Sequence, residues 1–298
     1  MTGTILFTIA CLVALGLLFS VVLYFVAQKF KVEEDPRIGI VESIMPGANC
    51  GGCGHAGCHA FAESVVKAPD MEGFFCPVGG NATMAKVAEA LGRAVEEKAP
   101  MVAVVRCHGT FDNRERTNHY DGYSSCKVMS SLYTGDTGCK YGCLGKGDCV
   151  DACQFDAIHI DERRGIAEVD ESKCVACGAC VKVCPKGVIE LRSKGFKGRR
   201  VYVSCINKDK GAVTRKACTV GCIGCGKCVK ECQFGAITLE NNVAYIDFSK
   251  CKLCRKCFDA CPTKAIWAVN FPPRVASPAA PAAAPVAKPE TESSPKSE

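Results

Sequence analysis

Tryptophan occurs once in this 298-residue chain and histidine five times. Neither suggests catalysis. His55, His59, His108, His119 and His159 are scattered along the sequence, and Trp267 reads as a packing residue. Charge of one sign is almost absent as a signal, because 37 Lys/Arg against 31 Asp/Glu leave a net charge of only +6. That excess is too mild for nucleic-acid binding and supports no more than a tilt toward acidic partners. No nucleophile triad and no Ser-Gly-Ala-Thr-like flavin attachment site is present. Residues 52–57 have the spacing of a dinucleotide fingerprint, but no apolar strand precedes them. Residues 221–227 imitate a phosphate loop, but Cys228 stands where Ser or Thr is needed. At 48% hydrophobic and 23% charged, the composition excludes a wholly disordered or wholly membrane-embedded chain.

What is abundant is cysteine, 25 residues in all, below an apolar N-terminus. Residues 5–27 carry no charge, and about 23 residues at about 1.5 Å each span roughly 34 Å, slightly more than a hydrocarbon core. No basic residue precedes this run, which argues against a cleaved signal peptide. Lys29 and Lys31 follow it, so the positive-inside tendency puts the N-terminus outside and the rest in the cytoplasm. The expected location is a single-pass chain of the bacterial cytoplasmic membrane, where disulfides do not persist. Cys11, inside the span, is read as inert. The expected divisions are an anchor over 1–31, a small helical domain over 32–98, two modules over 99–198 and 199–272, and a disordered Pro/Ala-rich tail over 273–298.

The first cysteine group is Cys50, Cys53, Cys58 and a distant Cys76 followed by Pro77. Three close ligands plus one, among glycines, suit a cubane cluster better than zinc, whose structural sites use two separated pairs. Helical spacing over 55–67 and 82–98 predicts two helices beside it, the second with Asn81 as N-cap.

An internal repeat carries the larger signal. Cys139-x3-Cys143-x5-Cys149-x3-Cys153 precedes Cys174-x2-Cys177-x2-Cys180-x3-Cys184-Pro185, and the spacing recurs from Cys218 through Cys222, Cys228 and Cys232 to Cys251, Cys254, Cys257 and Cys261-Pro262. The flanking apolar runs predict a β-hairpin in each copy, with further strands at 188–191 and 265–269. C-x2-C-x2-C-x3-C-P is the signature of two-cluster ferredoxins, in which the fourth Cys of each run ligates the other cluster. That crossing groups Cys174, Cys177 and Cys180 with Cys153, and Cys139, Cys143 and Cys149 with Cys184. In the second copy it groups Cys251, Cys254 and Cys257 with Cys232, and Cys222, Cys225 and Cys228 with Cys261. The predicted fold is therefore α+β, with at least five [4Fe-4S] clusters.

One position departs from the repeat: Lys146 stands where the second copy has Cys225. The first copy must recruit Cys139 or lose a ligand, whereas the second has both Cys218 and Cys225. Choosing Cys225 leaves Cys107, Cys126, Cys205 and Cys218, either ligands of a sixth cluster or buried thiols.

The uncharged anchor, the GANCGGCGHAGCHAFAE segment with its later CPVGG, and the ferredoxin modules together resemble the B subunits of the Rnf complex, the ion-translocating ferredoxin:NAD oxidoreductase of bacterial membranes. The resemblance runs over residues 1 to about 270. It implies a translocase component with no complete active site of its own beyond its clusters. Such a chain takes electrons from reduced ferredoxin and passes them to membrane subunits, with NAD and flavin held by other chains. Under it, Cys50, Cys53, Cys58 and Cys76 match the family's N-terminal cluster. Cys139, Cys143, Cys149 and Cys184, with Cys153, Cys174, Cys177 and Cys180, match its ferredoxin module. The alternatives are a membrane-tethered polyferredoxin of a hydrogenase or dehydrogenase, or a zinc-stapled scaffold. Lys194, Lys197, Arg199 and Arg200, with Lys208, Lys210, Arg215 and Lys216, form the basic stretch expected to meet an acidic donor.

Overall fold

The computed structural model describes residues 2–29, 34–132 and 134–272; the expected tail lies outside them. Helix α1 (Thr2–Lys29) is exposed along its length, and its apolar stretch Ile5–Val26 is long enough to cross a membrane.

A three-helix unit follows. Asp35 caps α2 (Pro36–Ile44) by accepting from the Arg37 N–H, and Pro36 opens the helix at the position where its missing donor costs nothing. α3 is Cys58–Lys67 and α4 is Gly80–Leu91. Phe61, Val65, Val41, Met84 and Val87 are buried between them, each contributing about 1.5–3 kcal/mol of transfer free energy. Both helices are shorter than the periodicity predicted. α4 stops at Gly92, whose left-handed φ of 63° turns its N–H back onto the Ala88 and Glu89 carbonyls. Asn81 is not the N-cap. Gly79 holds that position, while Asn81 exchanges two hydrogen bonds with the Lys98 backbone.

The two modules share one plan. The first contains β1 (Met101–Val105), α5 (Cys126–Leu132), α6 (Asp148–Asp151), β2 (Ile158–Asp161), β3 (Ile166–Val169), α7 (Ala179–Val183) and β4 (Ile189–Ser193). The second contains β5 (Arg200–Val203), α8 (Gly211–Ala217), α9 (Lys227–Glu231), β6 (Ile237–Glu240), β7 (Val243–Ile246), α10 (Lys256–Ala260) and β8 (Ile266–Val269). The predicted hairpins are β2/β3 and β6/β7. β4 and β8, the further strands expected near 188–191 and 265–269, pair antiparallel with β1 and β5, closing each module across its full length.

The modules meet face to face. Val102 and Val104 pack against Tyr202, Trp267 and Val269, which gives the lone tryptophan its packing role. Two arginines stitch the seam. Arg106 donates to the Val203 and Cys205 carbonyls, and Arg192, 1% exposed, donates to the Ile246 carbonyl and pairs with Glu190.

Candidate metal centres

The four cysteine loops of the two modules have the same backbone. Two left-handed residues, two positions apart, sit between the cysteines of each: Gly145 and Gly147, Ala176 and Gly178, Gly224 and Gly226, Leu253 and Arg255. Such turns aim successive N–H groups inward, a concavity suited to anionic sulfur. Sulfur-directed donors are present. Ala157 N–H points at Cys153 Sγ (3.4 Å), Gly79 N–H at Cys76 Sγ (3.3 Å) and Ala103 N–H at Cys174 Sγ (3.5 Å).

The structure gathers 23 of the 25 cysteines into six groups, with Cys50 beside one of them and Cys11 exposed on α1. In the N-terminal unit Cys53 and Cys58 are charge neighbours of Cys76, while Cys50 on the preceding loop faces Cys177. Cys153, Cys174, Cys177 and Cys180 line one cavity. Cys222, Cys225, Cys228 and Cys261 line another. Cys232, Cys251 and Cys254 surround Cys257.

The remaining two groups differ from the expectation. Cys126, not Cys139, joins Cys143, Cys149 and Cys184 around a third cavity. Its thiol accepts from the backbone N–H groups of Lys146 and Asp148, and so occupies the place that Cys225 fills in the second module. Asp148 holds it there by accepting from the Cys126 and Lys127 N–H groups and the Ser125 hydroxyl. Lys146 turns aside to pair with Asp136 (3.4 Å). Cys139 is freed to line a fourth cavity with Cys107, Cys205 and Cys218. The set of four left over in the sequence is thus corrected by one exchange, Cys139 for Cys126.

Burial, with neighbouring cysteines adding to it, pushes the thiols up. Cys149, Cys205 and Cys257 rise to about 12, and Cys143, Cys180 and Cys228 to about 11. Thiols of this kind hold protons at neutral pH, and a bound cation must displace them. Among the described residues no three His, Cys, Asp or Glu side chains converge as a single-ion site. Tetrahedral zinc would need sulfurs about 3.8 Å apart. Four cavities of nearly equal size, each ringed by four cysteines and three of them lined otherwise mostly by apolar side chains and backbone, fit cubane iron–sulfur clusters.

The groups also touch in order. Cys50 neighbours Cys177, Cys180 neighbours Cys149, and the Cys143 N–H points at Cys107 Sγ (3.4 Å). Cys205 neighbours Cys222, and Cys228 neighbours Cys257. Six groups stand in single file.

Comparison with known proteins agrees with this geometry. A 4Fe-4S dicluster domain model matches residues 138–188 and 221–265, and a putative Fe-S cluster model matches 45–70. The chain is 43% identical over 89% of its length to the B subunit of the Na⁺-translocating ferredoxin:NAD⁺ oxidoreductase complex of Acetobacterium woodii, covering 78% of that protein. It is 40% identical over 90% of its length to the proton-translocating counterpart of Clostridium ljungdahlii, covering 93%. It is 41% identical over 89% of its length to the B subunit of the ion-translocating oxidoreductase complex of Methanosarcina acetivorans, covering 99%. The chain belongs to this family of B subunits. The matched segments of the family models contain neither Cys107 nor Cys126 nor Cys205, so the bridging group and the substitute ligand of the first module come from the geometry alone. A sequence signal for Cys126 exists only indirectly, in the missing cysteine at position 146.

Proposed function

We propose that the chain is the iron–sulfur relay of an ion-translocating ferredoxin:NAD oxidoreductase, holding six [4Fe-4S] clusters. The ligand sets are Cys50, Cys53, Cys58 and Cys76; Cys153, Cys174, Cys177 and Cys180; Cys126, Cys143, Cys149 and Cys184; Cys107, Cys139, Cys205 and Cys218; Cys222, Cys225, Cys228 and Cys261; Cys232, Cys251, Cys254 and Cys257. Bound clusters supply one-electron carriers whose potentials follow the surrounding charge, hydrogen bonds and exposure. The protein's part is to order them. The single file of cysteine groups carries this reading, because each group abuts its predecessor and its successor.

The file has two unlike ends. The Cys50 end belongs to the unit that begins a few residues after α1, and the Cys257 end includes the exposed Cys254. Electrons from reduced ferredoxin enter at the second module and leave beside the membrane, where the other subunits of the complex receive them. The cluster domains face the cytoplasm, with the N-terminus of α1 outside.

Iron and acid-labile sulfide in the anaerobically purified full-length chain test this. About 24 of each per chain, at four per cubane, together with reduction by ferredoxin, is the expected result. About 20 would leave one group as thiols, and stoichiometric zinc would overturn the relay.

A further inference from the structure

Two loops that hold equivalent groups differ at four positions, three of which bring in a positive charge. Residues 173–180 read KCVACGAC and residues 250–257 read KCKLCRKC, so Lys252, Arg255 and Lys256 replace Val175, Gly178 and Ala179. The first loop is covered by another cysteine group. Gly52 lies so close that a Cβ there would meet Cys177 atoms at 2.9 Å, and small apolar residues are what such seating demands. The second loop is open, with Lys252, Cys254 and Lys256 exposed.

Arg255 carries the argument further. The residue just before the short helix is left-handed in all four loops: Gly147 (φ 92°), Gly178 (φ 78°), Gly226 (φ 70°) and Arg255 (φ 64°). Three are glycine, which tolerates that conformation freely, whereas a long side chain is strained there. Arg255 thus puts a positive charge where the other three loops have the unstrained, uncharged glycine. It lies 4.6 Å from the centre of the Phe271 ring, which Arg199 also approaches at 5.7 Å. Leu253 sits 3.8 Å from the Cβ position of Gly195, which brings the loop up against residues 194–199. There Phe196 is 71% exposed, with Lys197 over its ring. Segments 194–199 and 250–256 together contain seven Lys/Arg and no Asp or Glu. Asp247 pairs with only one of the seven, Lys250 (3.8 Å).

We infer that Lys197, Lys252, Arg255 and Lys256, ringing the exposed Cys254 and flanked by Phe196, form the docking face for an acidic iron–sulfur protein. The partner's cluster is seated on this loop as the Cys50 loop is seated on Cys177. One electron leaves the reduced donor and arrives at the group of Cys232, Cys251, Cys254 and Cys257, with no bond made or broken and no proton moved. The inference rests on the reading of this end of the file as the entry. It divides the basic stretch foreseen in the sequence. The 194–199 half belongs to the face, whereas α8 packs its Gly211 against Ile223 beside a different group.

The test is stopped-flow reduction of the full-length chain by dithionite-reduced ferredoxin across ionic strength. The variant K252S/R255G/K256A borrows Gly and Ala from the first module's loop. It should keep the full iron content and direct reduction by dithionite, yet lose about tenfold or more in the second-order rate at low salt, the scale of electrostatic steering, with a flattened salt slope. R255G alone should lose part of the rate while gaining thermal stability. K210S/R215S/K216S should leave the rate unchanged. A wild-type rate and salt slope in the triple loop variant, or a loss confined to the α8 variant, would overturn the docking face. A wild-type chain that ferredoxin fails to reduce at all would instead overturn the relay reading.

Discussion

Cys107 and Cys205 line one cavity from equivalent positions in the two modules. Each lies two residues beyond its module's first strand, β1 or β5, and the same cavity takes Cys139 and Cys218, which open the two copies of the repeat. Each module thus supplies two of the four thiols. A cluster there would join the modules as well as bridge their electron paths. C107S or C205S should lower iron by about four per chain and leave the other five groups loaded. Reduction of the second module by ferredoxin should persist while transfer to the first slows, a split that rapid-freeze EPR reads.

The neighbouring group makes a rescue experiment available. Cys126 takes up N–H bonds from Lys146 and Asp148, so a cysteine placed at 146 stands where Cys225 stands in the second module. C126S should cost about four iron atoms per chain, and C126S/K146C should restore them. C139S should spare this group and empty the bridging one. Iron counts of the three variants give the assignment directly.

Much of this was legible in the sequence because local spacing fixes local geometry. Cys174, Cys177 and Cys180 are close in sequence, so local backbone sets their convergence, while Cys153, beyond the β2/β3 hairpin, was supplied by the ferredoxin signature. Cys126 and Cys139 were not assignable, because Cys126 lies 17 positions before Cys143, beyond a helix and a loop, while Cys139 lies only 4 before it, and nearness along the sequence favoured the wrong one. The pairing of β1 with β4 was hidden for a similar reason. Apolar runs announce strands, but register across such a distance follows from tertiary packing. Asn81 failed as a cap because a second site, the Lys98 backbone, competed for the same side chain.

Removing the metal should change the response of the fold to pH. The buried thiols ionise only near 11 to 12 in the folded chain, against 9.0 for an ordinary thiol. A raised folded value means that the unfolded chain releases protons first. The apo chain therefore keeps full stability below about pH 9 and loses it progressively as pH rises toward 12. Thermal melts of iron-depleted protein between pH 8 and 11 should fall steeply. The loaded protein, whose thiolates are held by iron, should show a much weaker dependence.

Arg114 places a buried cation between two groups. It is 5% exposed, and it donates to the Thr137 hydroxyl and the Gly165 carbonyl at 3.3 Å each. Its Nε has no hydrogen-bond partner, and its charge acts on Cys143 and Cys218. An uncompensated guanidinium is expensive to bury, and anionic thiolate-ligated clusters held by the cysteines on either side would supply the compensation. A nearby positive charge favours the reduced, more negative cluster, so Arg114 should raise both central potentials. In redox titrations followed by EPR, R114Q should lower two of the six transitions and leave four in place. R114K, which retains the charge, should move them less. Losing the two hydrogen bonds should also destabilise the fold by about 1–3 kcal/mol.

The junction between the N-terminal unit and the first module depends on the absence of one methyl group. A Cβ on Gly52 would stand 2.9 Å from the Cys177 Cβ and carbonyl oxygen and 3.0 Å from its Cα. Two of these three atoms are backbone, so no side-chain rotation relieves the clash, and the loop carrying Cys50 must withdraw. G52A should therefore leave each unit folded and fully loaded while separating the two groups. Overpacking of this kind costs about 1–3 kcal/mol, enough to shift the Cys50 loop off the Cys177 loop without unfolding either. The expected signature is unchanged iron, unchanged reduction of the five upstream groups by ferredoxin, and slowed arrival of electrons at the N-terminal one. Normal kinetics there would mean that the file does not run through the contact of Cys50 with Cys177.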